Sequence, residues 1–427
     1  MDAREFLNNH RLGDEFVNPG EVLSFFFSEM EKGLDGEKSS LKMIPTYAEA
    51  PQKLPAGESV IVMDAGGTNF RTCLVTFDDE GKGVISDFSR VGMPGVEKEV
   101  SADEFYSIFA DSIERFMGRS NRIGFCFSYA AEITEDHDGI PLLFSKEVKA
   151  PGTIGKPLGK NILAVLAARG YDVSSMKISV VNDTVATLLA AKAESAVEAS
   201  SYVGFILGTG TNTAYIEKNA AIGKIALSCG TQIINTESGS LRLELTDLDR
   251  GFLQTTRDPN TYHMEKMISG AYIGPFCHYV ISEAVKESVF SIEFSDNFGK
   301  LDSLSTSDVG AFLGAPYSRE NVLGKIAASD RDVTYLYMIL KKIVVRAAKL
   351  TAINLTAAAL KSGVETSPSH PVIINADGTT FYKLPFLERY TRYYLDKILE
   401  EENGCWYRMV NIDSSPIIGA AISALAL

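Results

Sequence analysis

The chain has little that would staple a fold or hold a structural metal. Its five cysteines (Cys73, Cys126, Cys229, Cys277 and Cys405) are scattered, odd in number and without CxxC spacing, which argues against a disulfide framework or a zinc site. The histidines, His10, His137, His263, His278 and His370, form no HExxH or paired pattern. No apolar run is read as reaching membrane-spanning length, and the N-terminus MDAREFLNNH lacks a signal-peptide layout. A cytoplasmic protein with no membrane insertion is therefore expected. A net charge of −14 disfavours a general binder of nucleic acid or anionic membranes, yet leaves room for a local basic pocket. There is no GxxxxGK[ST] phosphate loop, and Gly208-Thr209-Gly210 lacks the third glycine of a dinucleotide fingerprint. Low-complexity segments are absent, and oligomeric state is left open. What remains is ordinary for a soluble globular protein: 427 residues, 45% of them hydrophobic, enough for two or three domains with their own cores.

Against that plain background stands Val60–Phe77, VIVMDAGGTNFRTCLVTF. Two apolar strand-like runs flank Asp64-Ala65-Gly66-Gly67-Thr68-Asn69, and Arg71 follows. The glycines free the backbone for a tight turn and keep side chains out of a ligand's way. A carboxylate for Mg²⁺, bare N–H groups and polar donors suit a polyphosphate, although an ordinary Gly-Gly hairpin has the same look. Tyr202–Glu217, YVGFILGTGTNTAYIE, repeats the design. Asn69 and Asn212 end matching GTN triplets a domain's length apart, which suggests a duplicated core with a nucleotide between its halves.

Along the chain, residues 11–36 have helical periodicity, and Asp35–Gly57 reads as a linker broken by Pro45, Pro51 and Pro55. Arg122–Tyr129 is a buried strand that ends at Ser128, where ligand-facing residues of open α/β sheets gather. Ser145 and Lys146 fall in a loop, and a lone surface lysine is usually only solvated. Strand Lys177–Val181 runs into Asn182-Asp183-Thr184 and a helix, so Asp183 is either an N-cap or a ligand group beside helix amides. Glu237 follows an apolar strand and Glu265 opens a helix; either suits a first-turn dipole partner. A long helical stretch at 333–361 has a core face. A strand from Pro371 leads to a polar turn at Gly378-Thr379-Thr380, and the last residues read as a small buried helix.

Together these segments resemble the hexokinase family, within the actin-like sugar-kinase superfamily. The likeness runs from Leu41–Tyr47 (family LKMLPT) through Asp64–Arg71 (LDLGGTNFR), Phe127–Tyr129, Ser145-Lys146, Asn182–Leu189 and Gly208–Glu217. It continues through Asn235–Glu237, Glu265–Gly270, Asp377–Pro385 and Gly419–Ile422. Each motif is weak alone; the ordered set is specific. The resemblance implies a two-lobed actin-like (ribonuclease H-like) fold with a duplicated mixed sheet in each lobe and the active site in the cleft. By analogy the small lobe is 57–180 plus 417–427, and the large lobe is 1–56 plus 181–416.

The same resemblance implies an ATP-dependent hexose 6-kinase, with glucose the first-choice sugar. Asp183 would be the base for the sugar 6-hydroxyl, and Lys146 would hold the sugar and help neutralise the phosphoryl oxygens. Ser128, Ser145, Asn182, Asn212, Glu237 and Glu265 would bind the sugar. Gly66, Gly67, Thr68, Asn69, Arg71, Thr209, Gly378 and Thr379 would meet ATP, and Asp64 would steer Mg²⁺ through water. An Asp, with a pKa of about 3.9 when unperturbed, is a weak base, but a loose transition state asks for the proton late. Departures gather at the sugar rim: Ala130 for the proline usual after FSF, Ser238 for a tryptophan after NTE, and Tyr262 where Gln is frequent. Mannose, fructose and glucosamine therefore stay open as substrates. A hexokinase-like sugar sensor without turnover is the alternative from another class.

Overall fold

Alternation along the first hairpin decides which face of its sheet each residue serves. In β2, Ile61 and Met63 join one apolar cluster while Val60 and Val62 join another, the period-2 signature of a strand covered on both faces. The structure, a computed structural model, describes residues 1–49, 55–67, 69–144, 148–194, 198–243 and 245–427. Thr68, Ser145 and Lys146 lie outside the described residues. In chain order the strands are β1 Ile44–Pro45, β2 Ser59–Ala65, β3 Asn69–Phe77, β4 Gly83–Gly92, β5 Arg122–Phe127, β6 Ala131–Ile133 and β7 Gly139–Pro141. They continue with β8 Lys177–Val181, β9 Ser201–Leu207, β10 Thr211–Lys218, β11 Thr231–Asn235, β12 Val372–Asp377 and β13 Tyr407–Val410.

Two mixed sheets result, one ordered β4-β3-β2-β5-β8 and the other β1-β11-β10-β9-β12-β13. Each is built around one of the two hairpins noted in the sequence: β2 with β3 and β9 with β10, both antiparallel. Helices Ala102–Glu114 and Leu158–Ala168 cover the outer face of the first sheet. The helix Asp330–Lys361 is buried along most of its length against the outer face of the second. Between the sheets lie Asp183–Glu194 and Ser415–Leu425, packed on each other. Their approach depends on small residues. A Cβ added at Gly419 would lie 2.6 Å from Ala186 Cα, and one at Gly124 would lie 2.5 Å from the Ala420 carbonyl carbon.

Two expectations need correction. Residues 11–36 are not one helix: Asp14–Phe16 is a 3₁₀ turn, and the helix runs Pro19–Leu34. Asn18 caps it, accepting the Gly20 N–H at 3.1 Å, and Pro19 at the first turn has no N–H with which to continue the helix upstream. Further upstream, Ala3–Asn9 is a separate helix capped by Asp2. A run of spanning length also exists: Asp330–Lys361 is long and apolar enough to cross a membrane, with a mean hydropathy of 1.5, but 89% of its most apolar window is buried inside the protein. A helix that packs on nearly all sides is apolar on nearly all sides.

Candidate active site

The parallel pairing β2–β5–β8 sets Asp64 level with Cys126, and Cys126 level with Val181. The carboxyl ends of three strands therefore deliver Asp64, Ser128 and Asn182-Asp183 to one edge, the place where open α/β sheets bind ligands. Asp64 is 3% exposed and receives Arg71 Nη1 at 2.8 Å, because the antiparallel register makes them direct partners. Burial pushes the Asp64 carboxyl up, Arg71 and the Cys126 thiol pull it back, and the charge of Asp183 adds to the rise. Burial likewise raises Asp377, whose carboxyl also feels Asp183 and Arg71. Asp64, Asp183 and Asp377 thus share one electrostatic site drawn from both sheets.

At the turn, Gly66 N–H donates to Asn69 O at 3.0 Å, and Arg90 Nε donates to Asn69 Oδ1 at 2.8 Å. Asn182 takes the capping position of the helix Asp183–Glu194. Its side-chain oxygen accepts Thr184 N–H at 3.0 Å, and its carbonyl accepts Ala186 N–H at 2.9 Å. Asp183 Oδ1 also accepts Thr184 N–H at 2.9 Å.

From the second sheet an amide–carboxylate chain meets Asn182. Asn212 Nδ2 donates to Asn235 Oδ1 at 2.7 Å, to Glu237 Oε1 at 3.3 Å and to Asn182 Oδ1 at 3.3 Å. Asn235 Nδ2 donates to Glu237 Oε1 at 2.9 Å. Glu265 Oε2 accepts Thr211 N–H at 3.1 Å, beside Asn212. Two glycines leave that carboxylate its space: a Cβ at Gly210 would lie 2.6 Å from Glu265 Oε2, and one at Gly239 would lie 3.2 Å from Glu265 Cβ. Tyr262 sits over the same pair; burial first, then the charges of Glu237 and Glu265, push its phenol up to about 12. Glu237 and Tyr262 both hold left-handed backbone, at φ 55° and 53°, a conformation that persists in such residues only where surrounding contacts fix it.

Gly208 and Thr209 form the second tip, held by Gly270 N–H to Gly208 O at 2.8 Å and Ala271 N–H to Thr209 O at 3.0 Å. Gly378, at φ 122°, lets β12 turn against Leu207 and Gly208 before Thr379 opens the helix Thr379–Lys383.

The structure thus joins Asn182, Asn212 and Glu237 directly and Glu265 through Thr211. It sets Asp64, Arg71 and Asp183 in one field, and places Ser128 and Gly66–Gly67 on the same edge. Sequence reasoning gave no role to Asn235 or Asp377. The one signal was an Asn closing TQIIN and an Asp closing VIINAD, each in a strand that carries an Ile-Ile pair. As for Mg²⁺, no group of three or more His, Cys, Asp or Glu poised for a metal occurs among the described residues. The donor set fits an ion that keeps its water and phosphate ligands, as Mg²⁺ does, and not one caged by protein.

Two family models, both described as Hexokinase, match residues 3–193 and 202–426. The chain is 27% identical to Hexokinase-4, chloroplastic, of Oryza sativa subsp. japonica over 93% of this chain and 83% of that one. It is 26% identical to Hexokinase-2 of Homo sapiens over 98% of this chain and 47% of that one, so it spans about half the human protein. Among solved structures, hexokinase from Schistosoma mansoni complexed with glucose superposes at a TM-score of 0.80, with 22% identity and 100% of both chains covered. A ROK family glucokinase from Streptomyces griseus with glucose and AMPPNP gives 0.51 at 14% identity, over 87% of this chain and 100% of that one. Those likenesses give the fold, the two-sheet actin-like sugar-kinase architecture. By its family matches, this chain belongs to the hexokinase family of enzymes.

Proposed function

We propose that the protein transfers the γ-phosphoryl group of ATP to the 6-hydroxyl of a hexose, glucose first, giving hexose 6-phosphate and ADP. The observation that carries this reading is the Asn182–Asn212–Asn235–Glu237 chain beside Asp183. It is a set of bidentate amides and a carboxylate suited to vicinal hydroxyls, and the Asp183 charge beside it is felt by Asp64 of the glycine hairpin suited to phosphate. Phosphoryl transfer asks chiefly for positioning and charge stabilisation. Asp183 would accept the hydroxyl proton as the sugar oxygen bonds to phosphorus and the bond to the β-phosphate oxygen breaks. Arg71 and the Gly66–Gly67 amides would face the phosphates, and Thr209, Gly378 and Thr379 would border the nucleotide. Asp64 would orient a hydrated Mg²⁺, which when bound supplies charge neutralisation at the phosphates. Lys146 and Ser145 keep the roles the family resemblance gives them.

We further propose that the lobes are 57–180 with 417–427, and 1–56 with 181–416. Strand membership supports this: β1 pairs with β11, and Ser415–Leu425 packs on residues of β2 and β5. Closure of these lobes on the sugar would exclude water from ATP.

The test is ADP release with ATP, Mg²⁺ and a panel of hexoses. Turnover should require a hexose, and Asp183→Asn should lose roughly 10²–10⁴-fold in kcat while its sugar Kd from calorimetry holds. No sugar-stimulated turnover in the native protein defeats the proposal, and tight sugar binding without turnover supports the sensor alternative.

A further inference from the structure

The first hairpin tip is held from below by the side chain of Tyr129. Tyr129 follows Ser128 at the end of β5, in the place of the second phenylalanine of FSF. Its hydroxyl donates to Gly66 O at 2.9 Å and lies 3.4 Å from Gly67 O. The ring is 2% exposed and packed against Phe127 and Phe144, with centroids 5.1 and 5.3 Å away, which fixes the hydroxyl under the turn. Burial first, then the charge of Asp183, raise the phenol, which keeps it a donor at neutral pH.

The direction of this hydrogen bond has a consequence on the other side of the turn. A trans peptide points its C=O and N–H in opposite directions, and there is no cis bond among the described residues. A donor that holds the Gly66 carbonyl toward the core therefore turns the Gly67 N–H away from it. Glycine backbone would otherwise flip between orientations at little steric cost, so a phosphate-binding amide here needs something to fix it. Gly66 N–H is closed onto Asn69 O, and the peptide plane that follows is held at its carbonyl by Tyr129.

We propose that Tyr129 is a positioning residue for nucleotide binding: its hydroxyl locks the Gly66–Gly67 peptide so that the Gly67 N–H faces the ligand's phosphates. This rests on the nucleotide reading above. The test compares Tyr129→Phe, which keeps the ring and its packing, with the native protein. Calorimetry gives the Kd of AMPPNP with Mg²⁺ and, separately, the Kd of glucose. Loss of one hydrogen bond should weaken AMPPNP roughly three- to tenfold and leave the glucose Kd and the melting temperature close to native. Three results overturn the proposal: an unchanged AMPPNP Kd, a rise in both Kd values together with a fall in melting temperature, or no AMPPNP binding by the native protein. Failure of the kinase reading looks different: a native protein that binds both ligands yet releases no ADP.

Discussion

Gly419→Ala sets two effects against each other, and the structure decides between them. Gly419 lies inside the helix Ser415–Leu425, where alanine is intrinsically better by about 1 kcal/mol. Yet the new methyl would lie 2.6 Å from Ala186 Cα and closer still to the Ala186 carbonyl, where carbon–carbon contacts belong at about 3.5–4.0 Å. The methyl has no rotamer and its Ala186 neighbours are backbone atoms, so no side-chain rotation relieves the clash. Nor can the helix back away. Its far side rests on Gly124, with the Ala420 carbonyl carbon only 2.5 Å from where a Cβ would stand. It is also tied there by Ser423 Oγ to Ser179 Oγ at 2.6 Å and by Arg122 Nη1 to Ala424 O at 2.9 Å. Overpacking costs about 1–3 kcal/mol and occasionally more, and a pinned backbone clash sits at the upper end. The net expectation is a loss of at least about 2 kcal/mol in urea denaturation after the propensity gain is subtracted. Turnover should fall too, because Ala186 shares a helix with Asp183. The internal control is Gly310→Ala in Thr306–Gly314, where the new Cβ meets only ordinary contacts at 3.5 and 3.6 Å; it should be neutral or stabilising by up to about 1 kcal/mol. A Gly419→Ala protein as stable as native refutes the packing argument outright.

Two further expectations concern Glu29 and Tyr262. Burial pushes the Glu29 carboxyl up, but the Ser40 N–H and hydroxyl and Lys32 outweigh it and bring it down to about 2. A depressed carboxyl stabilises above its unfolded value near 4.5 and loses that contribution as pH falls through about 2. Glu29→Gln should therefore cost up to about 3 kcal/mol at pH 7, with the gap to native closing in acid; a gap that does not depend on pH refutes the linkage. Tyr262→Gln, beside Glu237 and Glu265, should shift the ratio of kcat/KM among glucose, mannose, fructose and glucosamine by about tenfold or more. Unchanged ratios would remove Tyr262 from the specificity rim.

Much of this site was legible because its residues punctuate apolar runs. Lys177–Val181 ends as a strand where the sequence places it, and Asn182-Asp183 follow at a helix start. The doubled hairpin, read from GGTN and GTGTN, suggested a duplicated core, and each hairpin stands in its own mixed sheet. The error at residues 11–36 came from weighing the periodicity of Phe16 and Val17 above the Asn18-Pro19 start signal. Asn235 was missed for a different reason. Its partnership with Asn212 and Glu237 arises from the antiparallel pairing of β10 with β11 and from a left-handed Glu237, and neither non-local register nor a positive φ at glutamate leaves a mark in local composition. The spanning-length helix shows the opposite limit: composition cannot separate a helix wrapped by protein from one wrapped by lipid.

The two hairpins that betrayed the duplication are not used alike. In the first, the turn faces an ion pair, Asp64 with Arg71, and its glycines serve backbone exposure under the hold of Tyr129. In the second, Gly210 leaves room for a carboxylate, a Cβ there falling 2.6 Å from Glu265 Oε2, and Gly270 is the residue that must stay small, since a Cβ on it would lie 2.7 Å from Gly208 O. On the proposed reading, one tip would spend its freedom on amides for an anion and the other on admitting Glu265 to the sugar side. Since the sheets behind them keep the same hairpin and the same parallel neighbour, the difference lies in what each tip packs against. An alanine at Gly210 should therefore injure sugar binding before nucleotide binding, the reverse of the order expected at Tyr129.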